Sequence, residues 1–449
     1  MSPGLLFWQI LFVAACASGF KPTGPLPPVL DRPVGARLLK EWEAELAEVL
    51  VNADVQRTLR EEQRSVAQLR ESLVGRGAIF GSTSAPQALY FDNLRFSPEL
   101  TWGSDDLQET EARSALDALL ARAIRYDVHV FDPLVSRKLE RLTASPAQDF
   151  VSSLAARLTD VIDDDDVAKS VERALLCAIF AEADDLLTAN HATPVQEKSV
   201  SPRERRERFF EVIDSRRSRL ACGGDELDKA VAALCAGAGS ERGHGGRVDI
   251  LCGETGPALV GDLFLAHALL TLRCCERVVF HCPNYPVGLR GSTVADVAGH
   301  IEHLADPRKT DLWAVRHLGE ALRGHVASGA LRLSDDAFWA MAHVPLWEMP
   351  PHLEEQLSGS KMVLVRGDAN FVRLLGERQW PMGSDSMRDA EAAVLGAWPV
   401  PVCASLVSRS GVAGLVGVGV PDAARRRLDT GGSWASAGRV GIVVFGDGQ

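Results

Sequence analysis

The sequence predicts an α/β protein in which a helical N-terminal region precedes a parallel sheet. Three observations predict this fold class. Apolar residues recur at helical spacing in the first half, short apolar runs typical of buried strands begin near residue 248, and the composition is globular, with 46% hydrophobic and 24% charged residues. The length of 449 residues suggests two or three domains of about 150 residues each.

The first 36 residues divide into two segments. Residues 1–17 contain the apolar run LLFWQILFVAACA and end at small residues, a pattern typical of a signal peptide. The residues before this run include no Lys or Arg, so a buried N-terminal segment is the alternative. Residues 18–36 are rich in Pro and Gly and predict an arm or linker.

Residues 37–222 are predicted to be a helical region. Apolar residues within 167–178 follow one face of a helix. The aspartates at 163–166 precede this helix, where carboxylates interact favourably with the helix dipole, which is a commoner role for them than a cation site. Arginines at 203–219 alternate with acids, which favours a solvated helix over a nucleic-acid-binding face.

Residues 245–449 are predicted to form the α/β core after a Gly/Ala-rich connection. A strand at 248–252, a helix at 259–275 and a strand at 277–282 make a βαβ unit, whose two strands run parallel. Two more candidate strands follow at 362–365 and 440–445. Ligands of such sheets bind beyond the carboxyl ends of the strands, so the loops 253–258, 283–291 and 366–370 are the expected site.

The charge balance and hydropathy exclude some functions. Acidic residues outnumber basic ones by 60 to 48, giving a net charge of −12, and such a chain repels nucleic-acid phosphates on average. No stretch reaches the ~20 apolar residues that a membrane-spanning helix needs. We therefore expect neither a nucleic-acid partner nor a membrane span.

The loop after the third predicted strand carries the strongest chemical signal. Arg366 supplies charge, Gly367 lets the backbone approach a ligand, and Asp368 and Asn370 can hydrogen-bond hydroxyl groups. These residues suit an anionic, hydroxylated ligand. A plain turn is the structural alternative, and an Arg-Gly-Asp adhesion motif is disfavoured because it needs an exposed flexible loop.

Residues 366–380 (RGDANFVRLLGERQW) resemble the K-G-D-x-N-Y-R-K-L-x-G-D-R-x-W segment of the damage-control phosphatase family. Supporting segments occur in the same order over roughly residues 115–445. They are Asp132-Pro133-Leu134 with Arg137-Lys138, Phe338-Trp339 with Pro345, and WASAGRVGIVVF at 434–445.

This resemblance implies a Rossmann-like three-layer α/β/α core with a helical N-terminal region. It implies cytoplasmic hydrolysis of sugar phosphates such as fructose 1-phosphate and fructose 6-phosphate, with Mn²⁺, Ni²⁺ or Co²⁺ polarising the phosphoryl group. The implied substrate-binding residues are Arg366, Gly367, Asp368 and Asn370. Arg409 stands near the position of a phosphate-binding Lys, with a one-residue slip.

The metal-site motifs depart from the family pattern. Aligning the family's D-N-x-G-x-E places Gly253 at the Asp, Glu254 at the Asn and Ala258 at the Glu, and the second loop has Gly291 at its ligand Asp. Glu254 is therefore the one expected metal ligand that remains. Asp249, Asp262 and Asp296 are nearby in sequence, but Asp262 is expected to point along a helix and Asp296 to begin the next one.

Two functions remain open from the sequence. One is a metal-dependent sugar-phosphate phosphatase with a degenerate metal site, and the other is an inactive pseudo-phosphatase that binds a phosphorylated ligand or partner. A methyltransferase, which the family relationship permits, is disfavoured because no Gly-rich adenosyl-binding signature occurs. A zinc site is less favoured than core packing for the closely spaced residues Cys274, Cys275, His281 and Cys282.

Overall fold

The computed structural model describes residues 24–25, 135–143, 145–156, 166–181, 211–221, 224–238, 246–284, 291–309, 312–341, 344–376, 378–379, 394–396, 398–408 and 438–448. The predictions for residues 1–17, 132–134, 203–210 and Arg409 lie outside these ranges. So does nearly all of the predicted arm at 18–36.

Eight strands are present in the described ranges. In chain order they are β1 Gly24–Pro25, β2 Arg247–Leu251, β3 Arg277–Pro283, β4 Leu331–Asp336, β5 Ser360–Arg366, β6 Arg378–Gln379, β7 Val402–Val407 and β8 Gly441–Gly446. Six of them form one sheet in the order β4-β3-β2-β5-β7-β8, and β1 pairs with β6 separately. All neighbours in the large sheet are parallel except β7 and β8.

Residues 211–216 and 394–395 are helical, and ten α-helices have both ends within the described ranges. They are α1 Val135–Thr143, α2 Ser145–Ala156, α3 Val167–Phe180, α4 Asp225–Cys235, α5 Pro257–Thr271, α6 Val294–Ala305, α7 Trp313–Ser328, α8 Ala337–Ala340, α9 Pro351–Ser358 and α10 Asp368–Leu375. Short 3₁₀ turns occur at Arg217–Arg219 and Leu346–Glu348.

Helices cover both faces of the sheet, which confirms the predicted α/β fold and its three layers. Successive side chains of a strand point to opposite faces. Val248 and Ile250 of β2 join a core with residues of α3, α5, α6 and α7. Leu251 joins a second core with residues of α8, α9 and α10. The predicted parallel pairing of β2 and β3 is confirmed by their register.

Helices α3 and α5 join the helical region to the sheet. Asp166 caps α3 by accepting a hydrogen bond from the backbone N–H of Lys169 at 3.0 Å, so the last residue of the aspartate run begins the helix. Nearly all of α5 is apolar and buried, as expected for a helix between two layers. Gly261 of α5 allows the close crossing, since a Cβ there would lie 2.9 Å from the Cα of Ala178.

Each of the described helices is too short or too polar to span a lipid bilayer.

Candidate functional site

A cleft opens at the carboxyl edge of the sheet, where β2, β5 and β7 end. Its polar lining includes Glu254, Asp262, Arg366, Asp368 and Ser405. This is the edge at which parallel α/β sheets bind ligands. The predicted loops 253–258 and 366–370 therefore both contribute to the same cleft.

Arg366, the last residue of β5, is held in the floor of the cleft. Its Nε donates a hydrogen bond to Asp262 Oδ1 at 2.6 Å. Its Nη1 donates to the carbonyl oxygen of Ser405 at 3.1 Å and also to the Ser405 hydroxyl. The guanidinium is 4% exposed, so these contacts fix its position and Nη2 is the remaining terminal nitrogen.

Asp262 is the main charge partner of Arg366. The expectation that Asp262 points along its helix is wrong, because α5 directs this side chain into the cleft. Burial raises the pKa of Asp262 above its usual value, while the charge and hydrogen bond of Arg366 act to lower it. Part of the positive charge that sequence analysis assigned to ligand binding is therefore balanced within the protein.

The loop after β5 is shaped by Gly367 and Asn370. Gly367 adopts φ +86, a left-handed conformation that favours glycine, and α10 begins at Asp368. Asn370 Nδ2 donates to the carbonyl oxygens of Cys252 at 2.8 Å and Arg366 at 3.0 Å. The amide nitrogen of Asn370 thus ties the end of β2 to the end of β5, which leaves its oxygen as the group that could face a ligand hydroxyl.

Gly253 and Gly291 are the two positions at which the sequence alignment predicts lost metal ligands. Gly253 packs so closely against β5 that a Cβ there would lie 3.0 Å from the carbonyl oxygen of Arg366 and 3.3 Å from the Cα of Gly367. Gly291 bridges Glu254 in antiparallel fashion, and the N–H of Ser292 donates to the carbonyl oxygen of Gly253 at 3.2 Å. Backbone contacts therefore connect the segments around Gly253 and Gly291.

Arg141 faces the cleft residue Glu254, a contact that sequence analysis missed. It lies on α1, and its Nη2 is 3.7 Å from Glu254 Oε2, with 26% and 20% of the two side chains exposed. Its Cβ would lie 3.4 Å from a Cβ placed on Gly256, so α1 crosses the start of α5. In the sequence, Arg141 is marked only by its position three residues after Lys138 in a predicted helix. That position does not indicate a contact with Glu254.

The described residues do not fit a transition-metal ion. Among them, no three His, Cys, Asp or Glu side chains gather in an arrangement that could hold a metal. Gly253 and Gly291 offer no side-chain ligand, and the carboxylate of Glu254 faces Arg141. Transition metals need several correctly placed donors, so one carboxylate is insufficient.

Each of the three other aspartates considered as replacement ligands is bound elsewhere. Asp249 Oδ1 lies 2.6 Å from His281 Nε2, and Asp262 binds Arg366. Asp296 accepts a hydrogen bond from Lys138 Nζ at 2.6 Å, with both side chains almost fully buried. These contacts explain why none of the three completes a metal site in the described part of the chain.

His300 accepts a hydrogen bond from the backbone amide at the start of α5. The N–H of Gly256 donates to His300 Nε2 at 3.0 Å, and His300 Nδ1 donates to the carbonyl oxygen of Asp296 at 2.8 Å. Burial lowers the pKa of His300 to about 4, so the ring is neutral near pH 7. This donor of the α5 N-terminus is therefore used within the protein.

The residues considered for zinc pack in the interior. Cys274, Cys275, His281 and Cys282 are all between 0% and 3% exposed. His281 pairs with Asp249, and no metal cluster in the described ranges includes these residues. Arg409 lies outside the described residues. Ser405, on the preceding strand β7, accepts a hydrogen bond from Arg366.

Comparisons with known proteins agree with the sequence resemblance. The family model of the damage-control phosphatase ARMT1-like domain matches residues 82–414. Curated relatives named damage-control phosphatase ARMT1 include those of Mus musculus (27% identical over 203 residues), Rattus norvegicus (29% over 203) and Homo sapiens (25% over 208).

These matches are partial. The mouse and rat matches cover 44% of this chain and 44% of each relative, and the human match covers 46% and 45%. The chain therefore spans less than half the length of the curated relatives it matches. A crystal structure of a DUF89 family protein from Pyrococcus horikoshii is 11% identical, with a TM-score of 0.42, and covers 91% of this chain and 96% of that one.

Proposed function

Because the chain belongs to the family of the damage-control phosphatase ARMT1-like domain, we propose that it binds a sugar phosphate in the cleft at Arg366 without metal-dependent hydrolysis. One observation carries this proposal. The sequence alignment predicts the family's metal-ligand positions at Gly253 and Gly291, and Gly253 packs against the backbone of Arg366 and Gly367. The α/β fold is retained, but the described residues include no cluster of His, Cys, Asp or Glu that could hold a catalytic metal.

Three groups support binding of the phosphate. Arg366 lines the cleft, and the guanidinium of Arg141 lies beside the cleft residue Glu254. The N-terminus of α10 adds backbone N–H groups, because its N-cap is Gly367, which has no side chain to cap them. Arg409 remains a predicted contact from beyond the described residues.

The acidic side chains support a hydroxylated ligand with a single phosphate. Asp368 lines the cleft and can accept hydrogen bonds from sugar hydroxyl groups, as can the side-chain oxygen of Asn370. Glu254 and Asp262 add further carboxylates opposite the two arginines. A second phosphate would face this acidic excess, so a monophosphate fits the charge balance better than a bisphosphate.

Binding is tested by calorimetric titration of the full chain with fructose 1-phosphate. Arg141→Ala should weaken binding by about tenfold, as expected for loss of one charge-assisted contact. Arg308→Ala is the matched control, because Arg308 pairs with Asp306 far from the cleft and is 88% exposed. Equal affinity of the Arg141→Ala variant and the wild type would remove Arg141 from the site, and absence of any binding would overturn the proposal.

A second candidate function is hydrolysis of fructose 1-phosphate or fructose 6-phosphate with Mn²⁺, Ni²⁺ or Co²⁺. Family membership supports it, as does the lining of one cleft by the carboxylates of Glu254, Asp262 and Asp368. It requires these groups to rearrange around a metal, since Asp262 is bound to Arg366 and Glu254 faces Arg141.

A further inference from the structure

A cluster of thiols lies at the amino-terminal edge of the sheet, opposite the candidate cleft. Cys235 is the last residue of α4, and Cys274 lies in the turn after α5. Cys235 is partly exposed, whereas Cys274 is buried. Lys361, the second residue of β5, reaches both segments.

Lys361 holds the two cysteine segments together. Its Nζ donates hydrogen bonds to the carbonyl oxygens of Leu234 at 2.8 Å, Ala236 at 2.7 Å and Cys274 at 2.8 Å. Leu234 and Ala236 flank Cys235, so one ammonium group fixes the end of α4 against the turn that contains Cys274. The two segments are thus held together, and the side chains of Cys235 and Cys274 are in hydrogen-bond contact although they are 39 positions apart in the sequence.

The two thiols differ in chemical character. A hydrogen bond from the Cys274 thiol, assisted by the nearby charge of Lys361, lowers the pKa of Cys235 below its usual value. The same contact, together with burial, raises the pKa of Cys274. Since the thiolate is the reactive form, Cys235 is suited to attack and Cys274 to resolve the product.

We propose that Cys235 and Cys274 form a reversible disulfide by exchange with a low-molecular-weight disulfide such as oxidised glutathione. The Cys235 thiolate attacks one sulfur of the oxidant, forms a mixed disulfide and releases one glutathione thiolate, which takes up a proton. Cys274 then loses its proton to solvent, attacks the sulfur of Cys235 and expels the second glutathione. The protein dithiol is oxidised by two electrons, and one disulfide is reduced to two thiols.

A second thiol pair provides an internal comparison. Cys252 Sγ and Cys282 Sγ are 3.3 Å apart at the ends of β2 and β3. Both residues are buried, with 8% and 0% exposure, and burial raises the pKa of Cys252 well above its usual value. No accessible thiolate starts the exchange at this pair, which is therefore expected to stay reduced.

The disulfide is tested on the folded full chain by equilibration with oxidised glutathione, alkylation of the remaining thiols and tryptic peptide mapping. The expected product joins peptide 230–242, which contains Cys235, to peptide 274–277, which contains Cys274 and Cys275. Fragmentation of the joined peptide assigns the partner, and dithiothreitol should return both peptides to the alkylated form. Cys252 and Cys282 should be recovered as unoxidised thiols.

Serine variants give a matched set. Cys235→Ser and Cys274→Ser should each abolish the joined peptide, whereas Cys275→Ser should retain it. A cross-link to Cys275, a cross-link of Cys235 to any other cysteine, or recovery of Cys235 fully alkylated after oxidation would overturn the proposal. The wild-type map decides the question even where a variant fails to fold.

Discussion

Gly253 and Gly367 pack backbone against backbone where β2 and β5 end, and a Cβ on Gly367 would lie 3.2 Å from the Cα of Gly253. This contact closes the strand ends at Gly253, where the sequence resemblance predicts the loss of a metal-ligand aspartate.

Replacing Gly253 by alanine should lower the free energy of unfolding by about 1–3 kcal/mol, because the added Cβ meets backbone that cannot rotate away. Urea unfolding measures this change. Gly299→Ala is the matched control, since Gly299 lies within α6 with open space at its Cβ, and it should gain about 0.5–1 kcal/mol. Equal effects of the two substitutions would contradict the close packing at Gly253.

Asn370→Asp should lower the free energy of unfolding by about 1–3 kcal/mol and weaken ligand binding. The substitution removes the Nδ2 donor and places carboxylate oxygens beside the carbonyl oxygens of Cys252 and Arg366. Chemical denaturation and calorimetric titration with fructose 1-phosphate measure the two effects. If stability is unchanged, Asn370 does not tie β2 to β5.

Lys138→Met should lower the free energy of unfolding by about 3–5 kcal/mol, because it leaves the buried Asp296 carboxylate without its cation. The double variant Lys138→Met, Asp296→Asn should recover part of the loss, which a double-mutant cycle quantifies. If the effects of the two single substitutions simply add in the double variant, this contact does not hold α1 to α6.

His300 predicts a pH dependence of stability. Burial lowers its pKa to about 4 from an ordinary value of 6.5, so the folded state binds fewer protons than the unfolded state between these values. Above pH 6.5 the titration of His300 leaves the free energy of unfolding unchanged. As the pH falls from 6.5 toward 4, the free energy of unfolding decreases by up to about 1.4 kcal/mol per pH unit. His300→Gln should flatten this part of the stability profile. An unchanged slope between pH 6.5 and 4.5 would show that His300 is not buried in its neutral form.

The sequence predicted the strands that are continuous apolar runs. β2, β3, β5 and β8 lie within two residues of their predicted bounds, because a strand covered on both faces must be apolar throughout. β4 was missed because it is an edge strand in whose sequence, LRLSDD, four of the six residues are polar. β7, VCASLV, was missed because small residues weaken its strand signal, and its pairing with β5 and β8 stabilises it instead.

The candidate site was predicted in part. Arg366 and Asp368 were identified because a strand end followed by a glycine and polar residues is a local pattern. Asp262 reaches the cleft from α5, and Arg141 on α1 faces the cleft residue Glu254; both contacts depend on how those helices pack. No spacing within the sequence reveals a contact between residues as distant as Asp262 and Arg366.

The central claim is tested most directly by phosphate release from fructose 1-phosphate by the metal-stripped full chain, titrated with Mn²⁺, Ni²⁺ and Co²⁺ alongside a binding measurement. We predict binding without release above the protein-free control at every metal concentration. Metal-dependent release that Glu254→Ala abolishes would contradict this account and show that the cleft rebuilds a catalytic metal site.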